Sequence, residues 1–229
     1  MGFYRSQWEP NSADHHAPLS KRPSYLSERY ADFAVQRWIS NGISPEKIVL
    51  GLPLYGRSWT LSTNKTIPPA PAAGPGAPGK WTEDAGLLAY YEICDAVRNA
   101  GWNVVKDPSQ TMGPYALSPH HPRTWVAYDD PAMAIVKTQY VRNKSLGGVM
   151  VWDLSYDDFH NTCGNGYNPI LTSIYNTLKN SWPDITTRTT EVIRKQNKEV
   201  TQTFFNTSIV MSYATEQEIF HGNCECVCD

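Results

Sequence analysis

The sequence predicts an α/β fold, and three observations carry that prediction. Residues 147–159 read Gly-Gly-Val-Met-Val-Trp-Asp-Leu-Ser-Tyr-Asp-Asp-Phe, with a short β-branched apolar run at Val149–Trp152. Such a run, bounded by glycine, fits a strand buried on both faces, as parallel strands are when helices cover them. Residues 48–52, Ile-Val-Leu-Gly-Leu, form a second run of this kind behind a helical stretch and a tight turn, which is half of a βαβ unit. Residues 60–127 break the pattern and read as a small α+β module inserted into the α/β framework. The character changes at once past the buried part of 147–159, to Trp152, Asp153, Tyr156, Asp157 and Asp158. The carboxyl end of a buried parallel strand is where ligands sit in α/β folds. The competing reading of Trp152 is plain core.

Composition narrows the classes. The chain has 229 residues, 41% apolar, with a net charge of −2, so nothing is basic enough to suggest nucleic acid. No apolar run reaches the ~18 residues that span a bilayer. Met1-Gly2-Phe3-Tyr4-Arg5 carries no apolar signal-peptide core. The expectation is either a protein that is not exported or a chain that begins inside a longer gene product. Sequons at Asn64, Asn143 and Asn206 lean weakly towards secretion.

Taken in order, residues 1–26 are polar and turn-rich and predict mostly loop. His15 and His16 do not read as a metal site. Neighbouring residues point apart, and no carboxylate or cysteine stands at ligand spacing. Residues 27–40 predict a helix that buries Tyr30, Phe33, Ala34, Arg37 and Trp38, stopped by Asn41-Gly42. After the strand at 48–52, Pro53 breaks the ladder and Tyr55-Gly56-Arg57-Ser58-Trp59 follows. Residues 67–80 hold five prolines and three glycines, which predicts an ordered loop or linker. Residues 83–100 predict a helix with Leu87, Leu88, Tyr91 and Cys94 on one stripe. Residues 102–106 and 124–128 alternate like antiparallel strands. Asp130 is placed to cap a helix with Pro131 at its first position. Met133, Val136, Lys137 and Tyr140 form its face. Pro169 starts the last helix, with Ile170, Leu171, Ile174, Tyr175 and Leu178 as its stripe. Beyond Trp182 the pattern dissolves, although 204–213 has some strand character. Cys224, Cys226 and Cys228 fit either metal binding or the start of a disulfide module, and the composition favours a poorly ordered tail.

Four of these stretches resemble the chitinases of glycoside hydrolase family 18. Lys47-Ile48-Val49-Leu50-Gly51-Leu52-Pro53-Leu54-Tyr55-Gly56-Arg57-Ser58-Trp59 looks like their seventh strand. Gly86-Leu87-Leu88-Ala89-Tyr90-Tyr91-Glu92-Ile93-Cys94 resembles the helix of their insertion domain. Trp125-Val126-Ala127-Tyr128-Asp129-Asp130 and 147–159 resemble the segments leading to and forming the eighth strand. The loop 15–19 is similar to the one after the sixth. The resemblance covers about residues 1–178 and implies a partial (β/α)8 barrel, about strands six to eight, with the inserted α+β domain. It divides the chain into barrel segment 1–59, insertion 60–127, barrel segment 128–180 and polar tail 181–229. It implies secretion, no cofactor, no metal, and chitin or N-acetylglucosamine oligomers as ligand.

The family's chemistry is hydrolysis of β-1,4-N-acetylglucosamine linkages by a substrate-assisted retaining route, outside the two-carboxylate scheme. The resemblance implies that Trp152 floors the scissile-sugar subsite and that Tyr55 and Arg57 line the same cleft. Asp84 takes the place of an acidic residue near substrate, and Trp59 is a further stacking candidate. It implies a disulfide between Cys94 and Cys163. The sequence departs from the family where the chemistry is centred. No Asp-x-x-Asp-x-Asp-x-Glu spacing, which carries the catalytic glutamic acid, occurs in it. The family's Met-x-Tyr-Asp on the sixth strand aligns with Met1-Gly2-Phe3-Tyr4, which has neither the tyrosine nor the aspartate in register. The expectation is a chitinase-like fragment, inactive alone, whose open strand edge would take the missing N-terminal half of the barrel. The alternatives are a non-catalytic, lectin-like chitin binder and a truncated product that does not fold stably.

Overall fold

The computed structural model describes residues 9–22 and 28–179, and the backbone of 210–211. The proposed sixth-strand register at Met1–Tyr4, the sequon at Asn206 and the cysteines at 224, 226 and 228 lie outside the described residues. In chain order the elements are β1 (Ser12–Ala13), α1 (Ala31–Ser40), β2 (Val49–Pro53), β3 (Tyr55–Leu61), β4 (Ala70–Pro75), β5 (Leu87–Ala89) and α2 (Tyr90–Asn99). They continue as β6 (Asn103–Val105), β7 (Tyr115–Leu117), β8 (Thr124–Ala127), α3 (Pro131–Asn143), β9 (Gly148–Trp152), α4 (Pro169–Lys179) and β10 (Val210–Met211).

Two sheets meet at Leu54. β2 and β9 pair in parallel, from Val49 opposite Gly148 to Pro53 opposite Trp152. β10 runs parallel along the other edge of β9, with Val210 opposite Met150. Val210 and Met211 thus pair part of an edge that three strands alone were expected to leave open. Leu50, Leu52, Val149 and Val151 are buried in one core with Ile170, Ile174 and Leu178 of α4 and Val141 of α3. Their neighbours on the opposite face are less covered: Val49 is exposed, and Met150 and Trp152 are half-buried. The strands are thus buried fully on one face, not on both as the apolar run suggested. The period-two alternation of a strand separates the two faces.

The chain passes from β2 through Leu54 straight into β3. Leu54 N–H donates to the Trp152 carbonyl at 2.9 Å, and Tyr90 N–H donates to the Leu54 carbonyl at 3.2 Å. β3 belongs to an antiparallel sheet of order β1-β4-β3-β8-β7-β6, with β5 also pairing β3. A second core of Trp59, Leu61, Trp125, Leu117 and Ala127 lies on it.

Three sequence expectations are corrected here. The proline-rich 67–80 stretch contains β4, although proline composition predicts a loop. The prolines there contribute carbonyls: Pro71 accepts from Ser62 N–H at 3.0 Å and Pro75 from the Thr60 hydroxyl at 3.2 Å, while Ala72 supplies an N–H to Asn11. The helix expected over 83–100 begins at Tyr90. Gly86 takes φ +81°, Leu87–Ala89 pair with β3 instead, and the Glu92 carboxylate accepts the Ala89 N–H at 2.9 Å, capping the helix there. In α1 the buried residue is Val35, with Ala31 and Ile39 partly packed on the core, while Trp38 is 57% exposed. The aliphatic stripe at four-residue spacing, rather than the aromatic one, faces the sheet. The Asp130 cap forms as expected, its carboxylate accepting Met133 N–H at 2.8 Å.

Candidate functional site

The site is built where β2 and β9 end. Trp152 is the last residue of β9 and stands opposite Pro53, with Tyr55 two residues further on. Tyr55 and Arg57 are at i and i+2 on β3, so they share a face. The Arg57 guanidinium lies 5.0 Å from the Tyr55 ring centre, a cation–π contact. Tyr156, on the short 3-10 turn Leu154–Tyr156, meets Tyr55 edge-on at 6.0 Å and 79°. Asp153 caps that turn, accepting from Ser155 N–H at 2.9 Å and from the Ser155 hydroxyl.

Burial pushes the Tyr156 hydroxyl above its usual range, and the negative charges of Asp153 and Asp84 add to this while Arg57 opposes them. Tyr55 and Arg57 are buried, Trp152 and Tyr156 half-buried, and Asp84 exposed. Such a cluster, with ring faces for apolar surface and charges for hydroxyl and amide groups, suits a sugar, which is apolar across its C–H face and polar at its rim.

The other acids of this stretch are committed to the backbone. Asp157 accepts from Asp158 N–H at 2.8 Å and from Leu171 N–H at 2.9 Å in the first turn of α4. Asp158 accepts from Thr162 and Cys163 N–H at 2.8 and 2.6 Å. Trp59 does not join the groove. It is 0% exposed, meets Trp125 edge-on at 5.7 Å and donates its indole N–H to the Glu9 carbonyl at 2.9 Å. It shares a face with Tyr55 and Arg57 but lies further along β3, opposite Trp125, where the second core covers it.

Sequence reasoning passed over His16 as a site neighbour. Its ring stacks on Tyr55 at 5.3 Å and 29°. Burial, then the charges of Lys137 and Arg57, hold its pKa well below the usual value. Burial and the Arg22 charge push His15 down to about 3. The likeness of the 15–19 loop to a loop at the strand ends was the available signal. Among the described residues no group of three or more His, Cys, Asp or Glu is arranged to hold a metal ion. No helix among them is long and apolar enough to cross a membrane. Cys94 of α2 and Cys163 form a disulfide with Cα atoms 5.1 Å apart. Asn64 and Asn143 are exposed.

The fold is α/β, with the candidate site at the carboxyl ends of its parallel strands. The family model for Glycosyl hydrolases family 18 matches residues 1–157, and the chain belongs to that family. It is 44% identical over 178 residues to Probable chitinase 10 of Drosophila melanogaster, covering 77% of this chain and 8% of that one. It is 38% identical over 183 residues to Chitinase-3-like protein 2 of Homo sapiens, covering 76% of this chain and 45% of the other. Among solved structures, catalytic domain 2 of the Ostrinia furnacalis Group II chitinase superposes with TM-score 0.74 at 37% identity, over 79% of this chain and 47% of that chain. Human YKL-39, described as a pseudo-chitinase with retained chitooligosaccharide binding properties, gives TM-score 0.70 at 37% identity, over 76% and 47%. The chain thus spans less than half the length of each of these relatives.

Proposed function

We propose that this chain binds chitin oligomers, chains of β-1,4-linked N-acetylglucosamine, in the groove of Trp152, Tyr55, Arg57, Tyr156 and Asp84, and does not cleave them by itself. The observation that carries this is the half-buried Trp152 at the end of β9, opposite Pro53, with the Tyr55–Tyr156 pair on the segments that follow the two strand ends. The family contains both chitinases and a pseudo-chitinase that binds such oligomers. The substrate-assisted reaction needs a glutamic acid to protonate the leaving oxygen, and the acid spacing does not occur in this sequence. A general acid alone is worth about 10²–10⁴-fold in rate.

In this reading β2 and β9 are the seventh and eighth barrel strands and residues 60–127 the inserted domain, between barrel segments 1–59 and 128–180. Further barrel strands, from a longer chain or a separate N-terminal half, would pack along β2, where Ala34, Trp38, Val49 and Gly51 line an apolar groove. The disulfide fits an oxidising, extracellular setting, and Asn64 and Asn143 are open to glycosylation. Calorimetric titration with chitohexaose tests the proposal. Saturable binding that Trp152→Ala weakens at least tenfold is expected, and binding indifferent to that change overturns it.

A further inference from the structure

Trp81 is 66% exposed, a large apolar ring held in water on a loop that is not loose. The Glu92 carboxylate, in the first turn of α2, accepts from Trp81 N–H at 2.6 Å, Thr82 N–H at 3.2 Å, the Thr82 hydroxyl at 2.9 Å and Ala89 N–H at 2.9 Å. Gly79 lies so close to this carboxylate that a Cβ there would collide with Glu92 Oε2. Glu83 N–H closes the turn onto the Gly79 carbonyl at 3.2 Å. The Lys80 ammonium sits 4.6 Å from the indole centre, and the ring keeps its exposure with that contact in place.

The loop is also joined, through the first turn of α2, to the segment that follows β9. Asp84, three residues on from Trp81, is one of the charges felt by Tyr156. Tyr91, next to Glu92, feels Tyr156 and Asp153 and packs edge-on against Phe159 at 5.6 Å and 76°. Phe159 is itself 43% exposed. Exposed Phe159, after β9, thus packs on the first turn of α2, and the same turn anchors the backbone of the Trp81 loop.

We propose that Trp81 is a further sugar-stacking position, extending the groove so that it holds longer chitin oligomers than Trp152 and Tyr55 hold alone. The inference rests on the binding proposed above. A ring on a hydrogen-bonded loop suits this task, because ordering a mobile loop would cost binding free energy. Its surroundings also favour a sugar over a protein surface. Lys80, Glu83 and Asp84 are exposed and charged, whereas protein interfaces are depleted of charge at their core.

The test titrates chitobiose through chitohexaose into the parent chain and into Trp81→Ala, Trp81→Phe and Trp152→Ala. For Trp81→Ala, affinity for the hexamer falls about tenfold, an aromatic-stacking effect, and the ratio of hexamer to dimer affinity falls with it. Trp81→Phe keeps most of the length dependence. Trp152→Ala weakens every length. Hexamer affinity within twofold of the parent in Trp81→Ala overturns the inference and leaves the groove standing. So does an equal loss at all lengths, or loss in Trp81→Phe as large as in Trp81→Ala. A parent chain that binds no oligomer overturns both proposals.

Discussion

Tyr55 is held between His16 on one face and the edge of Tyr156, so the groove rests on a histidine that stays neutral in the fold. Both buried histidines make stability depend on pH. The folded pKa of His15, about 3, lies below its ordinary value of 6.5, so the unfolded chain takes up the proton first. Its contribution to stability is therefore complete above pH 6.5 and is lost as pH falls towards 3. By pH 4.5 His15 alone removes about 3 kcal/mol. Urea midpoints measured from pH 7 to 4.5 check this. His15→Phe keeps ring contacts to Tyr115 and Trp125 and gives a flatter profile; an unchanged profile counts against the assignment. Tyr55, Arg57 and Asp84 were legible as candidates through their motif neighbours. Trp59, from the same motif and on the same face of β3, is instead covered by the second core, because a linear motif does not say how far along a strand its neighbours reach. At 0% exposure, Trp59→Ala should cost about 3–5 kcal/mol of stability, read by chemical denaturation, with binding affinity preserved where the protein remains folded.

At the scale of elements, two attachments fix the groove. The Cys94–Cys163 disulfide closes 69 residues and ties α2 to the loop after β9. Loop-closure entropy gives such a bridge about 4 kcal/mol, so Cys94→Ser with Cys163→Ser should lower the thermal midpoint by many degrees under non-reducing conditions. An unchanged midpoint contradicts that weight. The second attachment is Lys137 of α3, which pairs with buried Asp129 and donates to the Ala17 carbonyl at 2.7 Å. Burial raises the Asp129 pKa while Lys137 lowers it. Lys137→Met strands a buried carboxylate, at about 3–5 kcal/mol, and stability measured by denaturant should recover when Asp129→Asn is added. α3, whose apolar face and Asp130 cap agree, was legible in the sequence, and α4 was legible in place while its expected stripe held at Ile170, Ile174 and Leu178 but not at Tyr175, which is 51% exposed. β4 was not, because composition counts prolines without showing that their carbonyls are the groups used. Nor was the start of α2, since Leu87 and Leu88 fit a helix stripe as well as a strand until Gly86 and Glu92 decide between them.

For the whole molecule, the arrangement is a parallel sheet at the end of which the chain turns, through Leu54, into an antiparallel one. The candidate site lies at that joint, with Trp152 from one sheet, Tyr55 and Arg57 from the other, and Asp153, Tyr156 and Asp84 from the connecting segments. The parallel strands and their helices could be read from apolar runs and spacing. The joint could not, because Pro53 looks like an end, whereas β3 resumes two residues later with new partners. Family likeness nominated Trp152, Tyr55, Arg57 and Asp84 as candidates before their contacts were known, and the acid spacing that the family carries does not occur in this sequence. Incubating the purified chain with chitohexaose, while following binding by calorimetry and products by mass spectrometry, tests this account most directly. The account predicts saturable binding, lost in Trp152→Ala, with the hexamer recovered intact. Shorter oligomers released by the pure chain, or a hexamer that never binds, would contradict it.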